Sequence, residues 1–286
     1  MTLPPLAAEP VAHIGNFAIT NTYVNSFLTM IGFVIFAYII KLALVGYKNK
    51  APKGVLNFFE SILEVLLDYF DRVTRDRKKS LRFLPLVGTL FFFILVSNWI
   101  GLLPGIGSIG FWEIKEGIKE FVPLFRPANT DLNMTLSMAV LVVVVSHVLG
   151  VVAIGFFKYA NKFIKLGDLY KALRNPTPVR IMTAVIEFFV GLLEIVSEVA
   201  KMVSLSLRLF GNVFAGEVLL TVMASLVAYL VPLPFLGLEL LVGIVQATVF
   251  SMLTLVYLTI ATTEVHEHDA VSHKEDAEML EPTPTV

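Results

Sequence analysis

Arg208 stands in the stretch between about Ile181 and Leu230, which is too apolar for a soluble surface helix yet also carries Glu187, Glu194, Glu198, Lys201 and Glu217. An ionisable group inside a bilayer costs several kcal/mol unless a partner or a water-filled cavity recovers it, so such residues are functional-site candidates by default. Arginine is the extreme case, because with a pKa above about 12 it cannot shed its proton to escape the penalty. The chemistry such a set can perform is proton handling: carboxylates that gain and lose a proton, held apart by a cation that never does.

Helical phase sorts these residues. At about 100° per residue, Glu187, Glu194, Glu198, Lys201 and Arg208 fall on one stripe. Glu217, about two and a half turns beyond Arg208, faces the other side and lies about 13 Å further along the axis. On the following apolar run Glu239, Gln246 and Tyr257 share a face, since spacings of seven and eleven residues return to nearly the same angle. The pattern predicts a path divided by Arg208 into two compartments of different depth and different face. A buried ion pair within an ordinary helix bundle is the plainer alternative.

The elements that must carry these side chains are membrane helices. The 286 residues are 56% hydrophobic and only 16% charged, with a mean hydropathy of +0.79, well outside the range of soluble domains. A formal net charge of -1 argues against nucleic acid as a partner, and the absence of cysteine excludes disulfides, thiolate metal sites and cysteine nucleophiles. His266, His268 and His273 sit in a hydrophilic tail with nothing to build a rigid cage, so no metal or other cofactor is expected.

Apolar runs at about residues 24–45, 83–103 and 134–157 are each long enough to cross a hydrocarbon core, and runs at 181–230 and 234–263 are longer. Fifty helical residues measure about 75 Å, so the fourth run must lie steeply tilted or break. Pro232 and Pro234 mark its reversal into the last helix, giving an antiparallel hairpin. The expected fold is therefore an all-α integral membrane protein with five membrane-embedded helices, including a long, steeply tilted C-terminal hairpin, plus one amphipathic interfacial helix. In order, the chain reads as an external N-terminal tail (1–23), a first transmembrane helix (24–47) and a cytoplasmic amphipathic helix (53–79), in which Glu60, Glu64, Asp68 and Asp71 oppose Phe58, Phe59, Leu63, Leu66 and Phe70. Two transmembrane helices with an external loop follow (83–157), then the tilted hairpin with the proton path (181–263) and an acidic cytoplasmic tail (264–286).

Lysine and arginine crowd the 48–82 and 158–180 connections. The N-terminal tail has none, and the 104–133 connection has only Lys115, Lys119 and Arg126, offset by acidic residues. The positive-inside rule puts the N-terminus outside and the C-terminus in the cytoplasm. Asp131 or Asn133 opens the third span, as an N-cap or as the lining of an outer aqueous entry. His147, in mid-span, is expected to bond a neighbouring helix more readily than to relay protons.

The segment Ser204-Leu-Ser-Leu-Arg208-Leu-Phe-Gly-Asn212-Val-Phe-Ala-Gly-Glu217 resembles subunit a of the F-type ATP synthase membrane sector. Asn98-Trp-Ile-Gly-Leu-Leu-Pro104, Asp131-Leu-Asn-Met-Thr-Leu-Ser137 and the segment from Gln246 to Tyr257 support it in the family's order, covering nearly the whole chain outside the termini. The resemblance implies a proton-translocating stator subunit beside a ring of c subunits, with the peripheral-stalk b subunits and the rest of the complex as partners, and the lack of an evident targeting peptide favours a bacterial inner membrane over an organelle-encoded subunit. It implies Arg208 as the stator arginine, Gln246 and Asn212 as its polar neighbours, Glu217 and Glu239 as the outer half-channel pair, and Glu194 as a cytoplasmic half-channel residue. Glu198, Tyr257, Asp131, Asn133 and His147 are further candidates for the lining. Relatives often have histidine at one position of the outer pair, whereas this chain has glutamate at both. No phosphate loop is present, so ATP chemistry must belong to partner subunits. The competing class is a self-contained secondary cation/proton transporter, which the lack of evident inverted repeats disfavours.

Overall fold

The computed structural model describes residues 5, 7–15, 17–45, 54–103, 105, 109–115, 118–163, 178–226 and 232–263. The acidic tail at 264–286 with its histidines, most of the basic 158–180 connection and the 227–231 reversal lie outside the described residues. The elements are β1 (Pro10–Ile14), β2 (Phe17–Thr20), α1 (Asn21–Val45), α2 (Val55–Thr74), α3 (Arg77–Leu102), β3 (Gly110–Lys115), β4 (Ile118–Pro123), a 3-10 turn (Ala128–Thr130), α4 (Leu132–Ile154), α5 (Phe156–Phe163), α6 (Pro178–Leu226) and α7 (Pro232–Thr262). They form two compact units, one of residues 1–144 and 196–257, the other of 145–195 and 258–286.

Helices dominate, and α1, α3, α4 and α7 are long and apolar enough to cross a membrane. The 49-residue α6 is not among these four, and it is the helix that carries the interspersed charges. α6 is one helix from Pro178 to Leu226. Two antiparallel β-hairpins, β1-β2 and β3-β4, add to the all-α expectation. Both fall in connections rather than in the apolar runs. The stretch expected as a tail up to residue 23 thus contains a hairpin, and α1 begins at Asn21.

The first unit explains why polar residues open α1. Asn21, Thr22, Asn25 and Thr29 are buried, although the spanning part of α1 is almost wholly exposed to what would be lipid. Asn21 Nδ2 donates to the Pro123 carbonyl at 3.1 Å, Thr22 Oγ1 to Asp131 Oδ2 at 3.0 Å and Asn25 Nδ2 to the Arg126 carbonyl at 2.8 Å. These bonds tie the first helix to the segment before α4. The α2–α3 corner is built as locally: Arg75 closes α2 with φ 54°, Asp76 caps α3 by accepting from the Lys78 amide at 2.9 Å, and the Thr74 and Ser80 hydroxyls meet at 2.6 Å. Only Leu66, Leu67, Phe70 and Thr74 of α2 are buried. Phe58 on its apolar face stays 62% exposed. The fully buried side chains include Phe70, Val87 and Ile94 with Leu209 of α6 and Phe250 and Leu255 of α7.

In the second unit α4 stops at Ile154 because Gly155 takes φ 95°, a conformation open to glycine, and α5 turns away from it. Tyr159 of α5 packs so closely on Gly150 that a β-carbon there would collide with its ring.

Candidate functional site

The inward face of α6 is set by Leu205, Ser206 and Leu209, all at most 2% exposed. Ser206 meets Thr135 of α4 by a 3.1 Å hydroxyl contact. That phase leaves Arg208, Gly211 and Asn212 on the exposed side. Arg208 makes no ion pair or hydrogen bond among the described residues, so its charge is not consumed by this chain's own packing.

Three side chains of α7 reach α6 in reverse order along it, which makes the two helices antiparallel where they meet. Glu239 lies against Gly216, whose missing side chain leaves room for the carboxylate. Gln246, 3% exposed, accepts from Asn212 Nδ2 through its Oε1 at 2.7 Å. Tyr257 lies 5.4 Å under the Lys201 ammonium, and Lys201 Nζ donates to Glu198 Oε1 at 2.6 Å. The shared face of Glu239, Gln246 and Tyr257 is thus the face turned toward α6. Gln246 Nε2 is buried without a partner, as is Ser251 Oγ one turn on.

Glu217 faces away from the Arg208 side and meets a residue whose place in the sequence marks it only as a loop charge. Arg126 is 2% exposed. Its Nε donates to Glu217 Oε1 at 3.1 Å and to Oε2 at 3.2 Å, and its Nη2 donates to Oε2 at 2.9 Å. Nη1 also donates to the Ala7 carbonyl at 3.3 Å and Nη2 to that of Pro5 at 2.8 Å. The only sequence signal was position: Arg126 stands between the apolar Phe125 and Pro127, unlike the other basic residues of that connection, which alternate with glutamates.

Arg126, Glu217 and Glu239 line one cavity of about 240 Å³, with Asn98 and Gly101 of α3, Phe125, Pro127, Thr221 and Gly243 among its walls. Gly101 allows Pro127 to close one side, since a β-carbon there would collide with its ring. The Asn98 Oδ1 accepts from Asn129 at 2.7 Å while its Nδ2 is buried without a partner. The arrangement can hold water and a titrating carboxylate in an otherwise packed unit.

The remaining candidates are placed differently. Asp131 is buried and caps α4, accepting from the Asn133 amide at 2.9 Å. Asn133 is exposed. His147, in the second unit, stacks on Phe163 at 5.6 Å and meets Tyr159 edge-on at 5.9 Å. The Ser146 hydroxyl also lies 3.4 Å from its Nδ1. Glu194 is half-buried on the part of α6 that belongs to the second unit.

The family profile described as ATP synthase A chain matches residues 26–259. Among similar proteins, ATP synthase subunit a of Campylobacter jejuni subsp. doylei is 34% identical over 239 residues, covering 83% of this chain and 90% of its own length. ATP synthase subunit a of C. jejuni subsp. jejuni is 32% identical, covering 85% and 92%. That of Moorella thermoacetica is 30% identical, covering 87% and 93%. With a match over most of its length and several membrane-length helices, this chain belongs to the ATP synthase subunit a family and is a multi-pass membrane protein.

Proposed function

We propose that the chain is the proton-translocating stator subunit of an F-type ATP synthase in a bacterial inner membrane, with its N-terminus outside and its C-terminus in the cytoplasm. It forms two offset half-channels against a ring of c subunits. The observation that carries this reading is the separation on α6 between an exposed Arg208 with no ion pair or hydrogen bond among the described residues and a Glu217 turned into a cavity on the other face. The steep tilt of the α6–α7 hairpin across the membrane, and contacts with the b subunits, belong to the same proposal.

Protons enter through the cavity lined by Glu217 and Glu239 and neutralise a ring carboxylate. The ring turns, and the proton leaves toward the cytoplasm along the stripe of Glu198 and Glu194, with Lys201 and Tyr257 beside it. Arg208 faces the ring. As a permanent cation it makes the passing carboxylate give up its proton and repels a proton that would leak straight across. Asn212 and Gln246 hold the two helices together one turn from Arg208. Each charge crossing gains about 2.3 kcal/mol per 100 mV, so several crossings are summed for one ATP made on partner subunits.

The test is ATP synthesis driven by an imposed proton gradient in vesicles containing the assembled complex. Arg208→Ala should abolish synthesis and allow some passive leak. Arg208→Lys should rescue little, because a lysine beside a low-dielectric path can lose its proton. Near-normal synthesis by an assembled Arg208→Ala complex would overturn the stator reading.

A further inference from the structure

Within the cavity the two glutamates are held in opposite ways. Glu217 accepts from Nε and Nη2 of a guanidinium that is itself 2% exposed and cannot deprotonate. A proton added to Glu217 would strand that buried cation, and removing one member of a buried ion pair is strongly unfavourable. Arg126 also cannot turn away to follow another partner, because its other donors hold the Pro5 and Ala7 carbonyls and its own carbonyl is held by Asn25. Glu239 has no hydrogen bond or ion pair among the described residues. It sits in the notch left by Gly216, where taking up or losing a proton breaks no pair. The charged groups of the cavity lining are these three: Arg126, Glu217 and Glu239.

We propose that Arg126 is a positioning residue of the proton path that holds Glu217 as its fixed ion-pair partner, so that Glu239 is the group in this cavity that takes up and passes on the proton. The inference rests on the reading of the cavity as the outer half-channel. It divides the roles of the two glutamates, which that reading leaves equal. Glu217 acts as the fixed counter-ion of Arg126, and the pair anchors the segment at Pro5 and Ala7 to α6. Proton transfer through Glu239 needs no co-reactant: the carboxylate oxygen gains a proton from cavity water and later returns it to the next acceptor.

The experiment uses the assembled ATP synthase in vesicles, with subunit content checked for each variant and proton-driven ATP synthesis measured across external pH. Glu239→Gln should lower synthesis about 100-fold, the scale of a lost proton-transfer group. Arg126→Gln and Glu217→Gln should each lower it about tenfold by stranding the partner charge. The double variant Arg126→Gln with Glu217→Gln replaces the ion pair by two amides, so it should recover to within about threefold of the parent and keep the parent's pH profile. An assembled double variant as inactive as Glu217→Gln alone, or with a displaced pH profile, would show that Glu217 itself carries the proton and would overturn the inference. If the Arg126 variants do not assemble, infrared difference spectra taken on acidifying the exterior decide. Subtracting the Glu239→Gln spectrum from the parent's should leave a protonated-carboxyl band that the same subtraction with Glu217→Gln does not leave, and the absence of that band would overturn the assignment. Full synthesis by an assembled Glu239→Gln complex would instead remove the cavity from the path, and with it the reading on which the inference rests.

Discussion

The carboxylate of Glu239 lies where a side chain at residue 216 would have to stand: a β-carbon built on Gly216 would collide with its Oε1 and carboxyl carbon. Glycine here is a matter of close approach between two helices, because the backbone is helical and needs no special φ. Gly216→Ala should therefore displace Glu239 without removing any titrating group, and lower proton-driven synthesis by about tenfold to a hundredfold, the cost of an ångström-scale misplacement. Pairing it with Glu239→Asp, one methylene shorter, should restore part of the loss. An assembled Gly216→Ala complex with parental rates would show that the position of Glu239 does not matter.

Asn212 and Gln246 form one hydrogen bond from unequal settings, the first exposed and the second 3% exposed. Truncating the exposed partner strands the buried one. Asn212→Leu should thus destabilise the detergent-solubilised complex by about 1–3 kcal/mol, whereas Gln246→Leu, which removes the buried amide and leaves Asn212 on the less enclosed face beside Arg208, should change stability less. Thermal unfolding of both variants checks this. Equal losses would mean that the bond itself, rather than desolvation, sets the cost.

His147 is held by ring contacts with Phe163 and Tyr159. His147→Phe keeps the stacking surface and removes the proton-binding nitrogens, so proton-driven synthesis should stay within about twofold of the parent if packing is the role. A loss of about 100-fold, as for a removed general acid or base, would favour the relay reading.

The orientation inferred from loop charges can be checked with cysteines at exposed positions. Ser80 is unsuitable, being fully buried against Thr74, but Lys78 and Ile109 are exposed. A cysteine at Lys78 should label only from the cytoplasmic side and one at Ile109 only from outside. Labelling of both from one side would overturn the topology.

Helical phase makes much of the site readable from sequence. It places Glu239, Gln246 and Tyr257 on a common face and puts Glu217 opposite Arg208, because a 3.6-residue repeat fixes angles along one helix whatever packs against it. It cannot supply partners from elsewhere in the chain. Arg126 lies 91 residues before Glu217, and its loop setting disguises a buried guanidinium as a topology marker. The β-hairpins escape for a related reason. Their short pairs are fixed by turns and by the tie from Asn21 to Pro123, not by a hydrophobic period. Asp131 is readable as a cap from its type and place, while its bond to Thr22 on α1 is not.

The ties that converge on Arg126 also impose an order in time. The Pro5 and Ala7 carbonyls are made first, their guanidinium partner more than a hundred residues later, and the carboxylate of Glu217 another 91 residues after that. At about 5–20 residues per second of synthesis, the arginine waits roughly 5 to 18 s for its counter-ion. Until then neither the strap at Pro5 and Ala7 nor the cavity wall has its full set of bonds. The cavity end of the first unit is therefore finished only after α6 has emerged, although the strand of chain at Pro5 and Ala7 precedes it by roughly two hundred residues.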